Sequence, residues 1–284
     1  MRSNMSEKVI ANYYMQSSWL YKYFWYSSKS LGLNYGIWRK DTKNRHQAIL
    51  NMFQYIVDLG KISNQMKVLD AGCGVGGGAI YIARKTGAQV VGITITPSQV
   101  IEAEKNAKLA KIDNLVKFTL MDYTQTTFPD NYFDVVYGIE SICYAYPKSN
   151  FLKESHRILK KNGKLIISDG YLIHKPRNLY EKEVTTNFCK GWKLEEMVEV
   201  DDMTRYLKLE HFNNVILEDM TPTVGKSLAY MKFLVIIAKP FAWIAKYVKI
   251  PFLINIRDNV QSMEMSIIGV EIGLFGHFTH IAKK

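Results

Sequence analysis

An α/β fold, with a largely parallel sheet covered by helices, is predicted by two features of this 284-residue chain. From residue 67 onward, short β-branched runs alternate with stretches of helical length. The first of those runs ends in Asp70-Ala71-Gly72-Cys73-Gly74-Val75-Gly76-Gly77-Gly78, a glycine-rich turn that leads straight into the next helical stretch. Glycine permits positive φ and lets a ligand reach backbone that a side chain would cover, so the turn marks a nucleotide-like ligand at the carboxyl end of the first strand.

KVLDA (67–71) reads as a buried strand, followed by a helix over 76–85. QVVGIT (89–94) is the second strand, and Pro97, at a favoured early helical position, opens a helix reaching residue 110. VKFTL (116–120), FDVVYG (133–138) and KLIISD (164–169) supply three more strands, with a helix over 147–160. The KK and KN runs at 160–164 read as a solvated turn. Asp201-Asp202-Met203 begins a helix that ends before Asn213, and VILED (215–219) is the strand after it. Helical insertions are expected at about 171–213 and 226–265. With a helical cap over residues 1–65, they would roof a domain spanning 66–284. Tyr21, Tyr23, Phe24, Trp25, Phe241, Trp243 and Phe252 would make that roof aromatic and apolar.

Hydrophobic residues at 48% and charged residues at 22% support a sizeable core and exclude disordered, collagen-like and disulfide-scaffold classes. Cys73, Cys143 and Cys189 lack CxxC or zinc-finger spacing, so no metal site is expected and a reducing, cytoplasmic compartment is. The stretch MRSNMSEKVIANYY shows no secretory signal, and no uncharged apolar run predicts a spanning helix.

The formal net charge of +11 is unevenly placed. Residues 1–65 carry nine Lys/Arg against three acids, and residues 226–257 carry six Lys/Arg and no acid. In the second segment Lys232, Lys239 and Lys246 recur every seven residues with Lys249 three later, which places them on one helical face beside apolar bulk. That pattern suits peripheral contact with a membrane surface. It equally suits a lid helix that shows its lysines to water. Nucleic acid is not expected as a partner, since no (D/N)PP(Y/F) motif follows the fourth strand.

Gly72, Gly74 and Gly77 satisfy GxGxxG, but a dinucleotide site places an acid about 20 residues onward and none lies between Ala71 and Ile101. The Asp70 carboxylate, ahead of the glycines, would repel a pyrophosphate and suits a cationic sulfonium ligand. LDAGCGVGG, GITITPSQ, Asp122, FPDNYFDVVYGIES and HRILKKNGKLIISD form an ordered set. The set resembles the class I S-adenosylmethionine-dependent methyltransferases. It is most similar to the branch holding sterol C24-methyltransferases, tocopherol and prenylquinone methyltransferases and cyclopropane fatty acid synthases. The resemblance covers residues 9–170, with GHFTHIAK (276–283) similar to the family's last strand.

That resemblance implies a Rossmann-like, seven-stranded, mostly parallel sheet and S-adenosyl-L-methionine as cofactor. Gly72, Gly74 and Gly76 would admit the methionine portion, with Asp70 supporting its positive end. Thr94 and Gln99 would hold the ribose, Asp122 and Tyr123 the adenine, and Tyr14 would cap the cofactor. Glu140 stands where the branch commonly has an acid and is the candidate catalytic base; hydrogen bonding in the pocket without catalysis is the other reading. Tyr35, Trp38 and Tyr144 are the candidate acceptor-site aromatics, for which core packing is the alternative. Met15 and Asn34 depart from the branch pattern, which bears on the acceptor. The function expected is methyl transfer to a hydrophobic small molecule of sterol, prenyl or lipid type, at carbon or, as the other reading, at oxygen. A prenyl diphosphate, a small polar acceptor, or a non-catalytic lipid-binding role at a membrane surface are the alternatives. His277 and His280, three apart on a strand, face opposite sides and read as structural.

Overall fold

The computed structural model describes residues 7–25, 29–245, 247–248 and 251–284. Its centre is one seven-stranded sheet of β1 (Lys67–Ala71), β2 (Gln89–Thr94), β3 (Val116–Leu120), β4 (Phe133–Ile139), β5 (Leu159–Leu172), β6 (Asn213–Asp219) and β7 (Phe275–Lys283). The order across the sheet is β3-β2-β1-β4-β5-β7-β6. All pairings are parallel except those of β7, which runs antiparallel to β5 and β6. The order reverses at β1, which pairs with β2 on one side and β4 on the other, and such a switch point opens a crevice beyond the strand ends.

The central strands are buried on both faces because they read as near-continuous apolar runs. One face is covered by α2 (Arg45–Gly60), α3 (Gly77–Thr86) and α4 (Pro97–Leu109), which bury Ile56, Ile80 and Ala103 with Val68 and Val135. The other is covered by α5 (Lys148–Ile158) and α7 (Val200–Leu209), which bury Phe151, Leu152, Met203 and Leu207 with Val136 and Leu165. The Asn44 side chain starts α2 by accepting from the Gln47 N–H at 3.0 Å. β5 runs through 160–163, but its pairing breaks there: Leu159 pairs with Phe133 and Lys164 with Val135, with a register shift between them, and Asn162 takes φ 64° in an exposed bend.

Outside these layers stand α1 (Glu7–Leu20) with a π-helical turn at Tyr21–Trp25, α6 (Leu179–Trp192), α8 (Thr221–Ile244) and α9 (Pro251–Glu271). The inner side of α8 packs on α9 through Met231, Val235, Ile256 and Val260, with Trp25 and Trp192 against them. One sequence expectation needs revision here. The helix at 200–209 belongs to the sheet-covering layer, because its Met203 and Leu207 meet the main core. Among the described residues one helix, α8, is long and apolar enough to cross a membrane by length and composition, and lysines interrupt its apolar run. Lys246 and Lys249, and the side chains of Phe24 and Phe252, lie outside the described residues.

Candidate active site

A cavity of about 1090 Å³ opens beyond the carboxyl ends of β1, β2 and β4. Of the residues singled out in the sequence, Tyr14, Tyr35, Asp70, Gly72, Gly74, Thr94, Gln99, Asp122, Tyr123, Glu140 and Tyr144 line it. Trp38 and Gly76 do not. The Trp38 indole instead donates to Ser227 Oγ at 2.8 Å and carries the Lys226 ammonium 5.4 Å from its ring centre, so it braces α8 from outside. At Gly76, φ is +88° and a Cβ would meet Phe118 at 2.7 Å, so helix–sheet packing demands this glycine and not the ligand. Gly72, at φ +89°, likewise has no room for a Cβ, which would collide with the Ser141 side chain. Gly72→Ala is expected to lower stability by about 2–3 kcal/mol, read as a lower thermal midpoint.

Asp70 sits fully buried at the end of β1, and burial pushes its carboxyl up to about 7 against the pull of the Tyr137 hydroxyl and the Ala79 amide. A buried carboxylate raised by desolvation and facing a cavity is one that a cationic ligand would hold ionised. Beyond β2, the Thr94 hydroxyl donates to Gln99 Oε1 at 2.7 Å, which leaves the Gln99 amide N–H groups as donors. Asp122 accepts from the Thr124 N–H at 2.8 Å and the Thr124 hydroxyl at 2.6 Å, which fixes its carboxylate beside the cavity. Tyr123 donates to the Ser141 carbonyl at 2.9 Å. A sulfonium with hydroxylated and amino-bearing parts fits this set: an acid for positive charge, polar groups after β2, and an acceptor after β3.

At the other wall, Tyr14 donates to the Tyr144 hydroxyl at 3.1 Å, and Tyr144 donates to the Trp192 carbonyl at 3.1 Å. Burial raises both phenols well above their ordinary value, so they act as neutral donors. Trp25, Phe188, Trp192 and Met231 complete an apolar wall drawn from the π-helical turn, α6 and α8. Arg45 supports it from behind, stacking 3.9 Å over Trp25 and donating to its carbonyl at 2.8 Å. The sequence reading placed Tyr21 and Trp25 here correctly, but Tyr23, Phe241 and Trp243 are exposed to solvent and roof nothing.

Glu140 follows β4 in the left-handed region at φ 49°, held by its N–H to the Ser168 carbonyl at 2.8 Å. A bulky residue kept there marks a constrained position. Its Oε1 accepts the Tyr35 N–H at 2.9 Å and contacts His277 Nε2 at 3.2 Å. The Glu140 oxygen accepts in this contact when Nε2 carries the proton, and Nδ1 has no hydrogen-bond partner among the described residues. The opposite-face expectation for the two histidines holds: His280 turns away to Thr204 at 3.1 Å. A purely structural reading of His277 misses its contact with Glu140. No local signal marks it, because the two residues lie 137 positions apart. Asp169, inside β5, was missed for the same reason; it lines the cavity and accepts from Cys143 N–H and Gly170 N–H at 2.8 Å each. Asn34, which departs from the branch pattern, lines the cavity with a buried Nδ2 that has no hydrogen-bond partner among the described residues.

Residues 69–167 match a family described as a methyltransferase domain. A sterol 24-C-methyltransferase of Gibberella zeae is 32% identical over 194 residues, covering 67% of this chain and 49% of that protein. The cyclase SpnF shares the fold at TM-score 0.80 and 18% identity, over 98% of this chain and 96% of that one. A geranyl diphosphate C-methyltransferase of Streptomyces coelicolor, in complex with Mg2+, geranyl diphosphate and S-adenosyl-L-homocysteine, does so at TM-score 0.75 and 17% identity, over 99% and 98%. The chain spans 30% to 58% of the length of such curated relatives. The chain thus carries a methyltransferase domain over residues 69–167 and is similar to S-adenosylmethionine-dependent methyltransferases, whose fold it shares along its length.

Proposed function

We propose that the protein binds S-adenosyl-L-methionine and transfers its methyl group to a carbon of a hydrophobic small molecule of sterol, prenyl or lipid type. The observation that carries this reading is one continuous cavity with a polar end at Asp70, Thr94, Gln99 and Asp122 and an apolar wall of Trp25, Tyr35, Phe188, Trp192 and Met231. Bound S-adenosylmethionine supplies an electrophilic methyl carbon whose bond to sulfur breaks as the acceptor attacks. The chain's own residues then do three things. Asp70 balances the ligand's positive charge, the aromatic wall excludes water and aligns the acceptor, and Glu140 takes the proton that a methylated alkene carbon must lose. His277 and the Tyr35 N–H hold Glu140 for that step. In this reading α1 with its π-helical turn, α6 and the inner side of α8 close over the acceptor, and the exposed side of α8 contacts a membrane.

The relatives named above act on a sterol and on geranyl diphosphate by their descriptions, which is the chemical class the apolar wall favours. Calorimetry tests the cofactor half. S-adenosylmethionine is expected to bind and S-adenosylhomocysteine to compete with it. Binding of NAD in place of either would overturn the assignment.

A further inference from the structure

We propose that the outer face of the carboxyl-terminal half of α8, with Tyr247 and Val248 beyond it, docks on the surface of an anionic bilayer and lies along it without crossing. Phe233, Ile236, Ile237, Phe241, Trp243 and Ile244 are all 41% exposed or more, and Tyr247 is 71% exposed. At the helical repeat those six occupy an arc of roughly 160°, opposite the strip formed by Val224, Leu228, Met231, Val235 and Ala242. That second strip is buried against α9 and its neighbours. The helix is therefore apolar on both sides, one side satisfied inside the protein and one facing outward. A helix whose inner side is committed to the fold cannot leave it to span a bilayer, but its outer side is free to enter the headgroup and acyl boundary.

The charge around this face selects the occupant. Residues 226–257 hold six Lys/Arg and no acid. Lys232 and Lys239 stand at the border between the inner and outer strips and pair with Glu271 and Glu264 of α9, the second at 2.9 Å. Both lysine side chains are half-exposed or more, and such pairs are weak enough for an ammonium to turn towards a lipid phosphate. A second copy of the chain would set the same positive segment against itself, whereas an anionic bilayer complements it. Trp243 and Tyr247, edge to face with ring centres 5.1 Å apart, have the apolar body and polar tip of side chains that settle at a membrane interface. The inner strip of the same helix places Met231 in the cavity wall, so docking would bring the apolar end of the cavity to the lipid, a link that rests on the proposed acceptor class.

The test is flotation of the full chain with vesicles of phosphatidylcholine alone and of phosphatidylcholine mixed with phosphatidylglycerol, at low and high salt. The chain is expected to float with the anionic vesicles, less so at high salt, and its tryptophan emission to be quenched by brominated lipid. The triple substitution Phe233→Glu, Ile236→Glu, Ile237→Glu should lower the bound fraction by about tenfold or more. All three side chains are solvent-exposed, so the variant should keep the parent's melting temperature and S-adenosylmethionine affinity. Absence of flotation at low salt, or equal flotation of the variant, would overturn the proposal. So would resistance to carbonate extraction, which indicates a span, or a concentration-dependent dimer that the triple variant abolishes. Methyl transfer to a detergent-dispersed acceptor is scored separately, so loss of docking and loss of the catalytic reading remain distinct results.

Discussion

Glu140→Gln is expected to lower kcat for transfer to the apolar acceptor by roughly 10²- to 10⁴-fold while S-adenosylmethionine affinity stays unchanged. The amide keeps the size of the side chain and can still accept from the Tyr35 N–H, so the pocket is preserved while the proton acceptor is lost. What supports this over a merely cofactor-binding role is that Glu140 contacts Tyr35, a residue of the apolar wall proposed for the acceptor, and His277. His277→Gln should lower kcat by about tenfold with KM little changed, since it removes the imidazole that holds Oε1. Combined with Glu140→Gln it should add almost nothing, as expected of residues acting as a unit. A Glu140→Gln enzyme with weakened cofactor binding and normal kcat would reduce Glu140 to a pocket ligand.

Asp70→Asn should abolish measurable S-adenosylmethionine binding and, at the same time, stabilise the unliganded fold above neutral pH. Burial raises this carboxyl from 3.8 to about 7. Between those values the folded chain keeps a proton that the unfolded chain has released, so unliganded stability falls as pH rises through that window. Above about 7 the cost of the buried charge is fully present, and removing it should raise stability by about 2 kcal/mol or more. A cationic ligand recovers that cost by holding the carboxylate ionised. Wild-type affinity should therefore tighten as pH rises towards about 7, by at most about tenfold per pH unit, with a proton released on binding below that pH. Paired calorimetry in two buffers of different ionisation enthalpy reads the proton. Binding without proton release at pH 6 would show that Asp70 is not the group facing the charge.

The stretch from residue 67 to 170 is legible in the sequence because its elements are fixed locally. Each strand is an apolar run, and each helix follows a turn residue or a proline, so its first four strands and first three helices fall within one or two residues of their observed ends. The glycine turn is legible as a ligand site for the same reason, but not which glycine serves the ligand. Gly72 and Gly76 are required by Ser141 and Phe118, side chains contributed by other strands and loops. Trp38 shows the limit of adjacency: it neighbours a cavity residue, Tyr35, in sequence, yet hydrogen-bonds to Ser227 on the outer layer. His277 shows the converse, since only the antiparallel entry of β7 beside β5 brings it to Glu140. The exposed side of α8 was taken for a roof because apolar residues around a whole helix do not reveal which side meets the protein.

The most direct test of the central claim is transfer of labelled methyl from S-adenosylmethionine into an apolar lipid extract, with the organic phase counted and Asp70→Asn and Glu140→Gln run beside the parent. The account predicts label in an apolar product for the parent, a trace for Glu140→Gln and none for Asp70→Asn. Label confined to water-soluble product, or label in the organic phase undiminished by either substitution, would contradict it.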